Sequence, residues 1–159
     1  MQMQTRPPVP RPGGPESWGT PAQSAADAVD EADFAAMRMA YHAAGGFAGG
    51  DDLARLLEDT GRGSFASLAR RIVGGEVFGF EWRHTFWIPM FQFTEELEVK
   101  PGLKAVLAEL ASEYDGRRLA DWFVEPNGWL EERRPIDVLD ASPDEVLQAA
   151  RADRFVATG

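Results

Sequence analysis

Any chemistry in this chain has to come from carboxylates, arginines and two histidines, because it contains no cysteine. Disulfides, thiolate metal sites and cysteine nucleophiles are thereby excluded. His42 lies in an alanine-rich stretch and His84 in the turn of a hairpin, and neither has a second ligand at metal-binding spacing. Acidic residues are plentiful, yet Asp115, Asp121, Asp137 and Asp140 accompany helix starts and turns, where carboxylates cap backbone amides. No nucleophile, base and orienting acid fall together, and the chain has neither a phosphate-cradling glycine loop nor a dinucleotide fingerprint. The expectation is a protein that is not an enzyme, with no catalytic residue, no metal and no cofactor.

Recognition is what remains, and two groups of residues carry it. The first is basic: residues 60–84 hold Arg62, Arg70, Arg71 and Arg83 against Glu76 and Glu81, in a chain whose net charge is −10. An acidic average opposes nonspecific binding to phosphates, but a local cluster on a helix and a hairpin tip is where a DNA-binding protein places its phosphate contacts. The bland alternative is surface charge paired with Glu58, Glu76 or Glu81, and Phe65, Ala66 and Ala69 offer few groups that read base edges.

The second group is aromatic. Trp122, Phe123, Trp129 and Leu130 surround the turn Pro126-Asn127-Gly128, which is too tight to bury all four, so an aromatic face is left for a partner. Arg133, Arg134 and Asp137, beside Glu131 and Glu132, form a charged rim next to it. The terminal Arg151, Asp153, Arg154 and Phe155 read as a mobile tail able to enter a partner's cleft. Taken singly, each aromatic is more often core and each charge more often solvated. Asn127 is expected to fold back onto its own turn, and Gln92, flanked by Phe91 and Phe93, to hydrogen-bond buried backbone.

The elements that position these groups follow from glycine, proline and periodicity. Residues 1–28 are rich in Pro and Gly and read as a disordered leader. A helix from Asp30 carries Phe34, Met37 and Tyr41 and stops at Gly45-Gly46. A second begins at Gly49-Gly50-Asp51, with Leu53, Leu56 and Leu57 as its stripe, and ends at Thr60-Gly61. Ser64 caps a third, bearing Phe65, Leu68 and Ile72 and terminated by Gly74-Gly75. Phe78, Phe80 and Trp82 alternate into a β-hairpin whose return strand Pro89 must end or confine to an edge. Further helices are expected from Glu98 to Tyr114 (Leu103, Val106, Leu107, Leu110), from Arg117, briefly from Pro135 (Ile136, Val138, Leu139), and from a capping box at Ser142-Pro143-Asp144-Glu145.

The fold class is therefore mainly α with one β-hairpin: a degenerate winged helix-turn-helix-like unit over 29–97, then a small helical bundle over 98–159. No run of about 20 apolar residues is present, and the N-terminus lacks a basic segment followed by an apolar one, so no membrane partner and a cytoplasmic location are expected.

The segment LADWFVEPNGWLEERRPIDVL resembles the antitoxin Xre/MbcA/ParS toxin-binding domain, a family with a helix-borne Trp, a Pro-Asn turn followed by an apolar residue, and then Pro and Leu. Trp122, Pro126, Asn127, Leu130, Pro135, Ile136 and Leu139 occupy those places. Upstream, Pro89, Phe91, Gln92 and Phe93 are similar to the hairpin end that precedes this domain in some members. Members with a full Xre-type repressor domain carry a longer and more basic helical bundle than this chain does. The resemblance implies an antitoxin that neutralises a cognate toxin, of the RES-domain class that consumes NAD, by covering its active site. Toxin contact is then expected from Trp122, Asn127, Trp129, Leu130, Arg133, Arg134, Arg151, Arg154 and Phe155. Two other readings stand beside it: DNA-binding autoregulation through Arg62, Arg70, Arg71 and Arg83, and an orphan scaffold that homodimerises through the Trp cluster.

Overall fold

The computed structural model describes residues 21–159, with only the backbone described over 21–29. Most of the expected leader thus lies outside the described residues, while helical backbone begins at Pro21 rather than Asp30. The chain divides into two compact units, 1–34 and 35–159. Helix α1 (Pro21–Tyr41) runs to a short 3-10 turn over His42–Ala44, which Gly45 and Gly46 end at positive φ.

Strand β1 (Phe47–Gly49) comes next, then α2 (Gly50–Asp59), α3 (Phe65–Val73), β2 (Phe80–Trp82) and β3 (Thr85–Pro89). The expected hairpin is β2–β3, but it belongs to a three-stranded antiparallel sheet in the order β1-β3-β2. Phe47 pairs with Pro89 and Phe80 with Trp87, so β3 is the central strand and ends at its proline. Pro89 is tolerated there because the strand stops with it. The order strand, two helices, two strands, with the first strand against the last, is that of a winged helix.

Leu53, Ala54 and Leu57 of α2 pack with Leu68, Val77, Ile88 and Phe93 into the core of this unit. Leu56, expected on the same stripe, is exposed, since the i, i+4 pair Leu53–Leu57 already defines the buried face. Phe65 is also exposed, as the first residue of α3, while Leu68 one turn later is buried.

After Phe93 the chain makes a bridge with Val99, and helix α4 starts only at Leu103 (Leu103–Leu110), later than the expected Glu98. Gly102 initiates it at φ +83°, with Pro143 so close that a β-carbon would crowd its ring. All four expected leucine and valine side chains of α4 are buried. They face α7 (Pro143–Thr158) at Val146, Ala149 and Ala150, whose small side chains allow close helix approach. Between them lie α5 (Gly116–Val124) and the single turn α6 (Pro135–Val138). Two expectations fail in α7. Neither arm of the capping box forms, since the Glu145 N–H donates to the Ser142 carbonyl (3.1 Å) rather than to its hydroxyl and the Glu145 carboxylate pairs with Arg133, and the supposed tail is helical to Thr158.

A column of rings crosses the expected 97/98 boundary. Phe80 meets Phe47 (5.4 Å between ring centroids), Phe47 meets Tyr41 (4.9 Å) and Tyr41 meets Phe91 (5.8 Å). Phe91 then meets Phe123 (4.9 Å), which lies edge-on to Trp122 (5.0 Å). The fully buried Gln92 is satisfied as expected: its amide accepts from Phe78 N–H (2.9 Å) and donates to the carbonyls of Phe78 (2.8 Å) and Pro89 (2.9 Å).

Candidate functional site

Two surfaces hold the residues singled out from the sequence. The first is the face made by α3 and the β2–β3 turn. Ser64 caps α3 reciprocally: its hydroxyl accepts from Ser67 N–H (3.1 Å), while the Ser67 hydroxyl oxygen accepts from Ser64 N–H (2.7 Å) and donates to Ser64 C=O (3.0 Å). With Leu68 anchored in the core, the residues turned outward are Phe65, Ala66, Arg70 and Val73, with Ala69 half-buried between them. Between α3 and the hairpin runs an open groove of about 630 Å³, walled by Phe65, Ala69 and Ile72 on one side and His84 and Phe86 on the other. Asp51 and Asp52, at the start of α2, stand on its rim.

At the hairpin tip Arg83 (φ 48°) and His84 (φ 63°) both occupy the left-handed region. Two-residue turns of this hand normally use Asn-Gly or Asp-Gly, and non-glycine residues held there cost about 1–3 kcal/mol each. Arg83 lies 4.7 Å from the centre of the Trp82 ring, where a guanidinium is attracted to the π face. Arg62, in the α2–α3 turn, and Arg70, on the outward stripe of α3, are exposed, and among the described residues neither has an ion-pair partner. Glu76, one expected partner for these arginines, pairs with Lys104 at 3.8 Å. Arg71 is half-buried, with one guanidinium nitrogen shut off from solvent, and so does not join the outward set.

The second surface surrounds Asp153 on α7. One carboxylate oxygen accepts from the Trp122 indole (2.7 Å) and the Asn127 amide (2.9 Å), and the other from the Trp129 indole (3.0 Å). Asn127 Oδ1 also accepts from Trp129 N–H (2.9 Å), which is the expected fold-back onto its turn. An acceptor-only carboxylate is the one side chain able to satisfy three such donors. Trp122, Asn127 and Leu130 are buried, whereas Trp129 is 61% exposed. Phe155 and Val156, near the end of α7, are 77% and 67% exposed.

The basic residues of this half are engaged within the chain. Arg133 donates to Leu130 C=O (2.9 Å) and pairs with Glu145 (3.1 Å). Arg134 forks onto Asp137 (2.8 and 3.0 Å), and that hydrogen bond, outweighing the effect of burial, lifts its guanidinium above the usual arginine range. Arg151 and Arg154 converge on Glu109 at 3.1 and 2.8 Å. Burial pulls the Arg118 guanidinium down, but its bond to Glu125 (3.1 Å) prevails and holds it above its ordinary value. Inside the unit, burial and the nearby Asp121 push the Tyr41 hydroxyl far above its ordinary value, and it donates to Ala120 C=O at 2.6 Å.

Among the described residues no group of three or more His, Asp or Glu is placed to hold a metal ion. No helix among them is long and apolar enough to cross a membrane. Of the nine residues expected to touch a toxin, then, three are buried, four are arginines bonded within the chain, and Trp129 and Phe155 present open apolar surface. Sequence reasoning placed Asp153 in a mobile tail, although it falls on the apolar stripe Val146–Ala149–Ala150 at helical spacing, where a lone acid signals a partner within the chain. It passed over the groove wall Phe86, which alternation puts on the same face of β3 as the buried Ile88, at the end of that face nearest the hairpin tip.

No protein-family model and no curated protein matches the chain in sequence. Among solved structures, the NMR structure of Rv2175c is similar to it with a TM-score of 0.57 and 21% identity, covering 68% of this chain and 80% of that one. At that identity the likeness extends to the fold alone.

Proposed function

We propose that this chain binds double-stranded DNA through its winged-helix face, with α3 entering the major groove and the Arg83-His84 turn resting on the flanking backbone. The observation that carries the reading is the topology: α2 and α3 joined by a capped turn, a sheet in the order β1-β3-β2, and a hairpin tip that spends unfavourable backbone geometry on Arg83 and His84. Arg62 and Arg70, which are exposed and have no acidic partner among the described residues, support it from the surface chemistry of the same face. The net charge of −10 confines phosphate contact to this face and keeps nonspecific affinity low. Neither turnover nor a cofactor is required, and the setting is the cytoplasm.

The test is retention on duplex DNA across a salt series. With three or four phosphates neutralised, log affinity falls against log salt with a slope of about −3. Arg70→Ala and Arg83→Ala each make that slope shallower by about 1. No retention at low salt rules the reading out.

A second reading is favoured by the open apolar surface of Trp129 and Phe155: toxin neutralisation of the kind the family resemblance implies, with contact narrowed to these two side chains. Co-expression with a RES-domain toxin from the same operon tests it, rescue of growth being lost on Trp129→Ala together with Phe155→Ala. Homodimerisation through the same surface is distinguished by the mass of the purified chain in solution.

A further inference from the structure

We infer that α3 recognises thymine through its 5-methyl groups, by apolar contact and without amide or hydroxyl readout. The inference rests on the DNA-binding reading and deepens it by naming the base.

Adenine is ordinarily read by a bidentate Asn or Gln, and α3 (FASLARRIV) contains neither. Its one hydroxyl, Ser67, is occupied on both sides by the Ser64 cap. What the helix turns outward is Phe65 (61% exposed), Ala66, Val73 (88% exposed) and Arg70. These fall at i, i+1, i+5 and i+8, a single stripe about 12 Å long, which covers three to four base pairs. In the major groove the only apolar group on a base edge is the thymine methyl. Phe86, 37% exposed across the groove from Phe65, extends the apolar wall toward the hairpin.

The occupant is set by charge. An apolar peptide would gain nothing from Arg62 and Arg70 beside the stripe or from Arg83 at the hairpin tip, whereas a duplex supplies phosphates on both sides of its methyl-lined groove. On the rim Asp52 is paired with Arg55 (3.7 Å), and Asp51 repels phosphate and leaves base contact to decide where the protein settles.

The experiment selects duplexes from a random library with the full chain, then compares the best of them with copies in which thymidine is replaced by deoxyuridine, which removes the methyl alone. Thymines are expected within the selected three to four base pairs, and each contacted replacement weakens binding about fourfold, the transfer value of one buried methyl group. Phe65→Ala and Val73→Ala bring thymidine and deoxyuridine duplexes to equal affinity, while Arg70→Ala weakens both alike. These residues are exposed, so the variants retain the thermal unfolding of the parent. Equal affinity of the unmodified protein for both duplexes overturns the thymine inference and leaves DNA binding standing. Failure to retain any duplex at low salt overturns both. Dimerisation abolished by Phe65→Ala assigns the stripe to a second copy of the chain and overturns the inference as well.

Discussion

The two faces of this molecule treat their side chains in opposite ways. Around Asp153 the polar atoms are spent on one another: two indoles and an amide converge on one carboxylate, and Arg133, Arg134, Arg151 and Arg154 all find acids of the same half. On the winged face Arg62, Arg70, Phe65 and Val73 project outward, and the hairpin tip accepts strain to display Arg83 and His84. Internally satisfied networks build structure, and it is on the other face, with its outward Phe65, Arg70 and Val73, that the proposed DNA contact is placed.

That contrast can be broken by substitution. The largest effect is expected beneath both faces, at Gln92→Ala. It strands the N–H and C=O of Phe78 and the Pro89 carbonyl in the core, costing about 3 kcal/mol and measured as a lowered denaturation midpoint. Asp153→Ala comes next, at about 2 kcal/mol, with a shift in Trp122 and Trp129 fluorescence and no change in DNA retention. If that variant lost DNA binding at unchanged stability, the two faces would not be separable. His84→Gly is expected to act with the opposite sign, raising stability by about 1 kcal/mol through relief of its positive φ while weakening duplex binding. Smallest in stability, within about 0.5 kcal/mol of the parent, is the pair Asp51→Asn and Asp52→Asn, which sharpens the comparison by raising duplex affinity at low salt.

Much of the winged unit was legible because its boundaries are written in residues with single meanings. Gly50 and Thr60 bracket α2, Ser64 and Gly74 bracket α3, and Pro89 ends β3. Strand β1 was not legible. Three residues are too few to show alternation, and Phe47–Gly49 is extended only because β3, some forty residues away, supplies its hydrogen bonds. The same non-local cause hid the fate of the terminal segment. Alanine and arginine in ARADRFVAT favour a helix, but propensity does not say what the helix docks on: Arg151 and Arg154 reach back to Glu109 on α4 while Asp153 collects donors from the Asn127 turn, and together they hold it in place. The capping box at Ser142 shows the converse: the motif was present, and Arg133 outbid the backbone for Glu145. Of the candidate contact residues, spacing found the right segments and could not tell inside from outside, because the turn at Asn127 buries Trp122 and Leu130 while turning Trp129 out.

The column of rings from Phe80 to Trp122 bears on how the chain can be divided. Helical halves of this size are often cut at a loop and studied apart, and the loop after Phe93 invites such a cut. Here Phe91 and Phe123 share one contact, so each fragment would carry half of a shared interior into water. Residues 35–159 are therefore expected to melt as one cooperative unit with a single calorimetric transition. Slow-exchanging amides are expected in both α5 and the sheet, and limited proteolysis is expected to give no stable product ending between Phe93 and Leu103.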